Sequence, residues 1–177
     1  MNDAPRATIA VPKAPARMMT TAAEAPTKAS VSCPDPIEGE WLALTYNPAV
    51  EDWYQVRLSI KRAAKGSQVV QGEVRVRFWS GDSEAKAPPG CQDKAAAERI
   101  VLQPARGTFA GDQLQFNAQS WSFAPDSCFK QGRYNLDNYS GRVDSALGEF
   151  HARNDDSGRA RGEESLFRRV KCAGTET

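Results

Sequence analysis

From Ile37 onward, apolar and polar residues alternate with a period of two. In YQVRLSIK, Tyr54, Val56, Leu58 and Ile60 share one face, and Gln55, Arg57, Ser59 and Lys61 share the other. VQGEVRVRFW sets Val70, Gly72, Val74, Val76 and Phe78 against Gln71, Glu73, Arg75, Arg77 and Trp79. DQLQFNAQ sets Leu114, Phe116 and Ala118 against Gln113, Gln115, Asn117 and Gln119. Strand side chains point alternately to the two faces, so this texture predicts an antiparallel sheet with one dry and one wet side. Eight strands are predicted, at 38–46, 53–63, 69–79, 98–109, 112–122, 139–145, 148–154 and 163–171. Pro104 has no N–H to give a ladder, which predicts an edge or a bulge in the fourth strand. Residues 92–98, QDKAAAE, predict one or two helical turns.

Loop lengths then sort by position. The turns AAKGS, AGD and SAL join the second strand to the third, the fourth to the fifth and the sixth to the seventh. All three fall at one end of an up-and-down meander, and every longer connection falls at the other. The prediction is an all-β fold: an antiparallel up-and-down closed β-barrel of about eight strands, with a closed floor and an elaborated mouth.

Residues 1–32 are rich in Ala, Pro, Thr and Lys and hold no aromatic residue. Such a segment buries too little apolar area to offset the cost of ordering it, so it reads as a disordered tail or tether ahead of a domain at 33–177. Neither its start nor ASVSC before Pro34 has the continuous apolar run of a secretory signal or a lipobox. No apolar run approaches the ~20 residues of a membrane span. The net charge of +1 does not favour nucleic acid, so any basic function is local.

Candidate chemistry is sparse. The one histidine, His151, follows Phe150 in a strand and points outward. No nucleophile elbow, P-loop, zinc-protease helix or dinucleotide fingerprint is present in the sequence. NDDSG at 154–158 lacks the ligand spacing of a calcium loop and reads as a polar turn. Asp137 with Asp144, or Asp155 with Asp156, are the carboxylate pairs a hydrolase would need. No catalytic residue, cofactor or metal ligand is assigned.

Four cysteines without CxxC spacing argue against zinc and suit two disulfides in an oxidising compartment, periplasmic or extracellular. The alternative is four buried thiols in the cytoplasm. In a closed meander Cys33 and Cys172 meet at the floor, while Cys91 and Cys128 lie in mouth loops. A strand of ~8 residues separates the two ends by more than ~20 Å, and bonded cysteines need Cα atoms within ~7 Å. If bonds form, they are therefore Cys33–Cys172 and Cys91–Cys128.

Gly39-Glu40-Trp41 in the first strand and Arg168-Arg169 in the last resemble the calycin pattern of lipocalins, fatty-acid-binding proteins and avidins. The resemblance implies an eight-stranded barrel that takes a ligand at its mouth. It also implies a floor where Trp41 lies under a basic side chain. Arg168 is assigned to that role because it alternates with Leu166 and Val170 on the expected inner face.

The strand directions send Trp53, Trp79, Trp121, Tyr134, Tyr139 and Tyr46 to the mouth end. Trp and Tyr combine large contact area with a polar tip, which suits binding surfaces. The candidate ligand-binding set is Trp53, Trp79, Trp121, Tyr134 and Tyr139, with Arg77. If Trp53 opposes Trp79, then Gln55 opposes Arg77 and Arg57 opposes Arg75, a basic stripe leading to two tryptophans. The other reading is that the rings plug the barrel end. The expected function is non-catalytic binding of a small molecule or a partner protein segment at the mouth. A small-barrel hydrolase or isomerase and a tethered adaptor are the rivals, and an open or a filled interior discriminates among them.

Overall fold

A computed structural model describes residues 33–92, 98–158 and 161–174. The tail reading of 1–32 and most of the helical reading of 92–98 lie outside these residues. The alternating segments form β1 (Gly39–Asn47), β2 (Asp52–Arg62), β3 (Val69–Ser80), β4 (Arg99–Ala110), β5 (Gln113–Ala118), β6 (Ser122–Phe123), β7 (Asn138–Asp144), β8 (Glu149–Asn154) and β9 (Glu163–Cys172). Among the described residues no helix is present. Strands pair antiparallel in the order β3-β2-β1-β9-β8-β7-β5-β4, and β4 returns to β3. The result is a closed eight-stranded up-and-down barrel.

The segment read as one strand over 112–122 is two. β5 leaves β4 at Ala118, opposite Ala105, and the chain swings back as β6 against Val101 and Leu102. Pro104 sits at this change of partner. Its carbonyl accepts the Gln119 N–H at 2.9 Å, and it has no N–H to leave unpaired.

The barrel is filled. Trp41, Phe116, Phe150, Phe167, Leu58, Ile60 and Leu114 are each under 2 % exposed. Side chains of this size close the space inside an eight-stranded barrel. Two troughs of about 470 Å³ each lie on the outer wall, one beside Lys61, Gln71 and Arg106 and the other beside Asn117 and Asn138.

At the floor, β1 and β9 pair over a short ladder broken by a bulge. Gly39 faces Cys172 and Glu40 faces Lys171, but Trp41 faces Arg169. Gly39 is required here: its φ is +135°, and a Cβ would stand 2.1 Å from the Lys171 carbonyl oxygen. Disulfides join Cys33 to Cys172 and Cys91 to Cys128, with Cα separations of 5.4 and 5.1 Å. One ties the two ends of the domain at the floor, and the other ties the β3–β4 and β6–β7 loops at the mouth.

Candidate functional site at the barrel mouth

The floor is a structural cap. The Arg169 guanidinium lies 4.3 Å from the Trp41 ring centroid and donates to the carbonyls of Asp35 and Pro36. The Trp41 indole N–H donates to the Ile37 carbonyl at 2.9 Å. Residues 33–38 thus cross beneath the barrel, held by an arginine above and by an Arg62–Asp35 ion pair of 2.7 Å at the side. The assignment of Arg168 to this cap is corrected to Arg169. Val170 is the residue skipped in the β1–β9 pairing and is 44 % exposed. The inner face of β9 carries Phe167 and Arg169, while Arg168 turns outward to Glu149 at 3.4 Å.

At the other end the aromatics divide into two groups. Trp53 faces Trp79 across β2 and β3, so that Gln55 faces Arg77 and Arg57 faces Arg75. These tryptophans lie on the outer wall, the polar face of their strands, yet each is 1 % exposed. The loop after β3 folds back over them. Trp53 donates to the Asp82 carbonyl at 2.8 Å and Trp79 to the Ala85 carbonyl at 2.7 Å. Their rings stack at 6.3 Å, with Tyr46 at 5.0 Å from Trp53. Trp53 and Trp79 are thereby corrected from ligand contacts to a satellite core. Arg77, expected among the ligand contacts, lies on the outer wall and pairs with the buried Glu98 at 3.3 Å. The like-charged neighbours are relieved in the same way, Arg57 by Glu40 at 2.6 Å and Arg75 by Asp126 at 2.7 Å.

The second group spans the mouth. Tyr54 contacts Phe78 at 5.9 Å, Phe78 contacts Tyr134 at 6.1 Å, Tyr134 contacts Trp121 at 6.4 Å and Trp121 contacts Phe123 at 5.3 Å. All five rings are half-buried. The exposed Arg99 lies 5.6 Å over Phe78. Trp121 and Tyr134 were expected here. Tyr54, Phe78, Phe123 and Arg99 were not, because alternation assigns Tyr54 and Phe78 to the core and says nothing of where the inner face meets the rim.

A buried polar network anchors the chain of rings. Asp137 is 4 % exposed and accepts from Gln103 at 2.6 Å, Asn154 at 2.6 Å and the Tyr134 hydroxyl at 3.0 Å. Its own N–H donates to Gln103 Oε1 at 3.0 Å. Burial pushes the Asp137 carboxyl above its usual range, outweighing these hydrogen bonds. Burial, and then the charge of Asp137, raises the Tyr134 and Tyr139 hydroxyls well above theirs. Burial also raises Glu163, helped by the charges of Asp156 and Asp137. Tyr139 is 3 % exposed and packs inside on Phe167 at 5.1 Å, so its assignment as a ligand contact is corrected to core.

The remaining candidates separate cleanly. Asp144 lies at the floor end of β7, where it caps the turn by accepting from the N–H groups of Ala146 and Leu147. It cannot act with Asp137 at the mouth. Asp155 and Asp156 accept from the backbone of their own turn, at Ser157 and Gly158. His151 is exposed and lies 3.3 Å from Glu149. No family model matches this chain, and neither a curated protein nor a solved structure is detectably similar to it.

Proposed function

We propose that this chain is a non-catalytic binding domain that takes a segment of a partner protein on the aromatic rim of its mouth. The carrying observation is the unbroken run of five half-buried rings, Tyr54, Phe78, Tyr134, Trp121 and Phe123, above a filled barrel. Aromatic rings in contact, each keeping part of its surface open to solvent, are the usual anchor of a recognition surface. Packed side chains occupy the interior, which favours a partner lying across the rim over a small molecule held inside. Both Asp137 oxygens are taken by donors from the domain itself, which favours a structural over a catalytic carboxylate. The closed meander and the arginine over Trp41 support kinship with calycin-type barrels. The two disulfides support a periplasmic or extracellular setting.

Selection of a random displayed peptide library on the full chain tests this reading. Enriched peptides should lose more than about tenfold in affinity on Trp121→Ala and on Phe123→Ser, and keep it on the outer-wall variant Gln71→Ala. Peptides that bind both rim variants as well as the unmodified chain would overturn it.

A further inference from the structure

We infer that the segment bound at the rim is acidic, a peptide carrying carboxylates beside its apolar anchors; this rests on the rim being the binding surface. Most strand arginines of the outer wall are matched with carboxylates, Arg106 beside the outer trough being an exception among the described residues. Arg57, Arg75, Arg142 and Arg153 have theirs at 2.6, 2.7, 2.6 and 3.2 Å. Arg99 has none within 4 Å among the described residues, although it stands on the ring run itself. Stacking on Phe78 orients its planar fork while leaving its donors to solvent, a geometry suited to a carboxylate arriving from outside. Lys130 and Arg133, exposed on the loop that carries Tyr134, likewise have no carboxylate partner among the described residues. Arg99 therefore stands unmatched on the ring run, and Lys130 and Arg133 lie on the loop that supplies one of its rings.

The same mouth argues against a nucleic-acid strand. Asp155 and Asp156 in the β8–β9 connection and Glu163 and Glu164 at the start of β9 lie at the mouth end of the barrel. A phosphate chain carries a charge at every residue and meets them wherever it tracks across the mouth, whereas a peptide needs carboxylates only where it passes Arg99 and can turn apolar or neutral residues to the acidic side.

The test uses the full chain and a fluorescein-labelled peptide of repeating Asp-Phe-Asp-Leu, read by anisotropy. Its controls are the same peptide with lysine at each aspartate and a short oligothymidine. The acidic peptide should bind at least about tenfold tighter than the lysine form, and should weaken as salt rises from about 50 to about 300 mM. Arg99→Glu should weaken it by more than about tenfold, and Arg133→Glu, at an exposed loop position, should weaken it in the same direction. Equal binding of acidic and basic peptides, unchanged binding to Arg99→Glu, tighter binding of oligothymidine, or no binding of the acidic peptide would each overturn the inference. Library peptides that lose affinity on Trp121→Ala but not on Arg99→Glu would leave the rim reading standing and remove only its acidic partner.

Discussion

Arg169 stands 4.3 Å over the ring of Trp41, while its neighbour Arg168 faces the other side of the sheet. The first is 6 % exposed and makes two hydrogen bonds to carbonyls of the crossing segment. A desolvated cation–π contact and two charge-assisted bonds together stabilise by about 3 kcal/mol. Arg169→Ala should therefore lower stability by about that amount. Arg168→Ala, which removes a long surface contact, should cost less than about 1 kcal/mol. Urea unfolding of both variants checks the order.

The four tryptophans should report their burial separately. Trp41, Trp53 and Trp79 are almost fully covered, and Trp121 is half-exposed. Trp121→Phe should remove most of the acrylamide-quenchable fluorescence and leave the melt nearly unchanged. Trp79→Ala should cost about 3–5 kcal/mol, because it empties the satellite core beneath the β3–β4 loop. Similar quenching from all four would mean that this loop does not cover the outer wall.

Asp137 gives stability a pH dependence of defined sign. Its folded-state carboxyl is raised above the ordinary value of about 4. Between those two values the folded chain keeps a proton that the unfolded chain has released. Stability from this group is thus greatest below pH ~4 and falls as pH rises through the window. The stability of the unmodified chain minus that of Asp137→Asn should shrink as pH rises from about 4 to about 7. Melts of both proteins across that range measure it, and a difference that grows with pH would contradict the assignment.

The two disulfides should differ in weight. They close sequence separations of 139 and 37 residues. In the chain-entropy model these contribute about 5 and about 4 kcal/mol. Paired Cys→Ala replacement at 33 and 172 should lower the denaturation midpoint more than replacement at 91 and 128. Non-reducing peptide mapping should recover these two bonds and no crossed pair.

The barrel was legible because period-two alternation and the sorting of loop lengths are both properties of the chain itself. The Trp53–Trp79 register was one the sequence allowed and did not fix, because the six residues joining β2 to β3 admit more than one pairing. The face of β9 was not. Leu166 and Val170 are apolar on the outward side, and the pairing skips Val170, so a count of alternating apolar residues selects the wrong arginine. The burial of Trp53 and Trp79 was hidden for another reason: a loop covering the outside of a strand leaves no trace in that strand's own pattern. Gln103, Asp137 and Asn154 look like any polar residues in sequence. Only closure of the barrel brings these three, from β4, the β6–β7 loop and β8, together in the dry interior.

The central claim is that the mouth rim is where this protein binds. Amide shift mapping with a library-selected peptide tests it most directly. The account predicts that the perturbed amides cluster at residues 54, 78, 99, 121–123 and 133–134, with the outer-wall strand positions 59–61 and 71–73 unmoved. Perturbations centred on the outer wall, or spread evenly around the barrel with the rim silent, would contradict it.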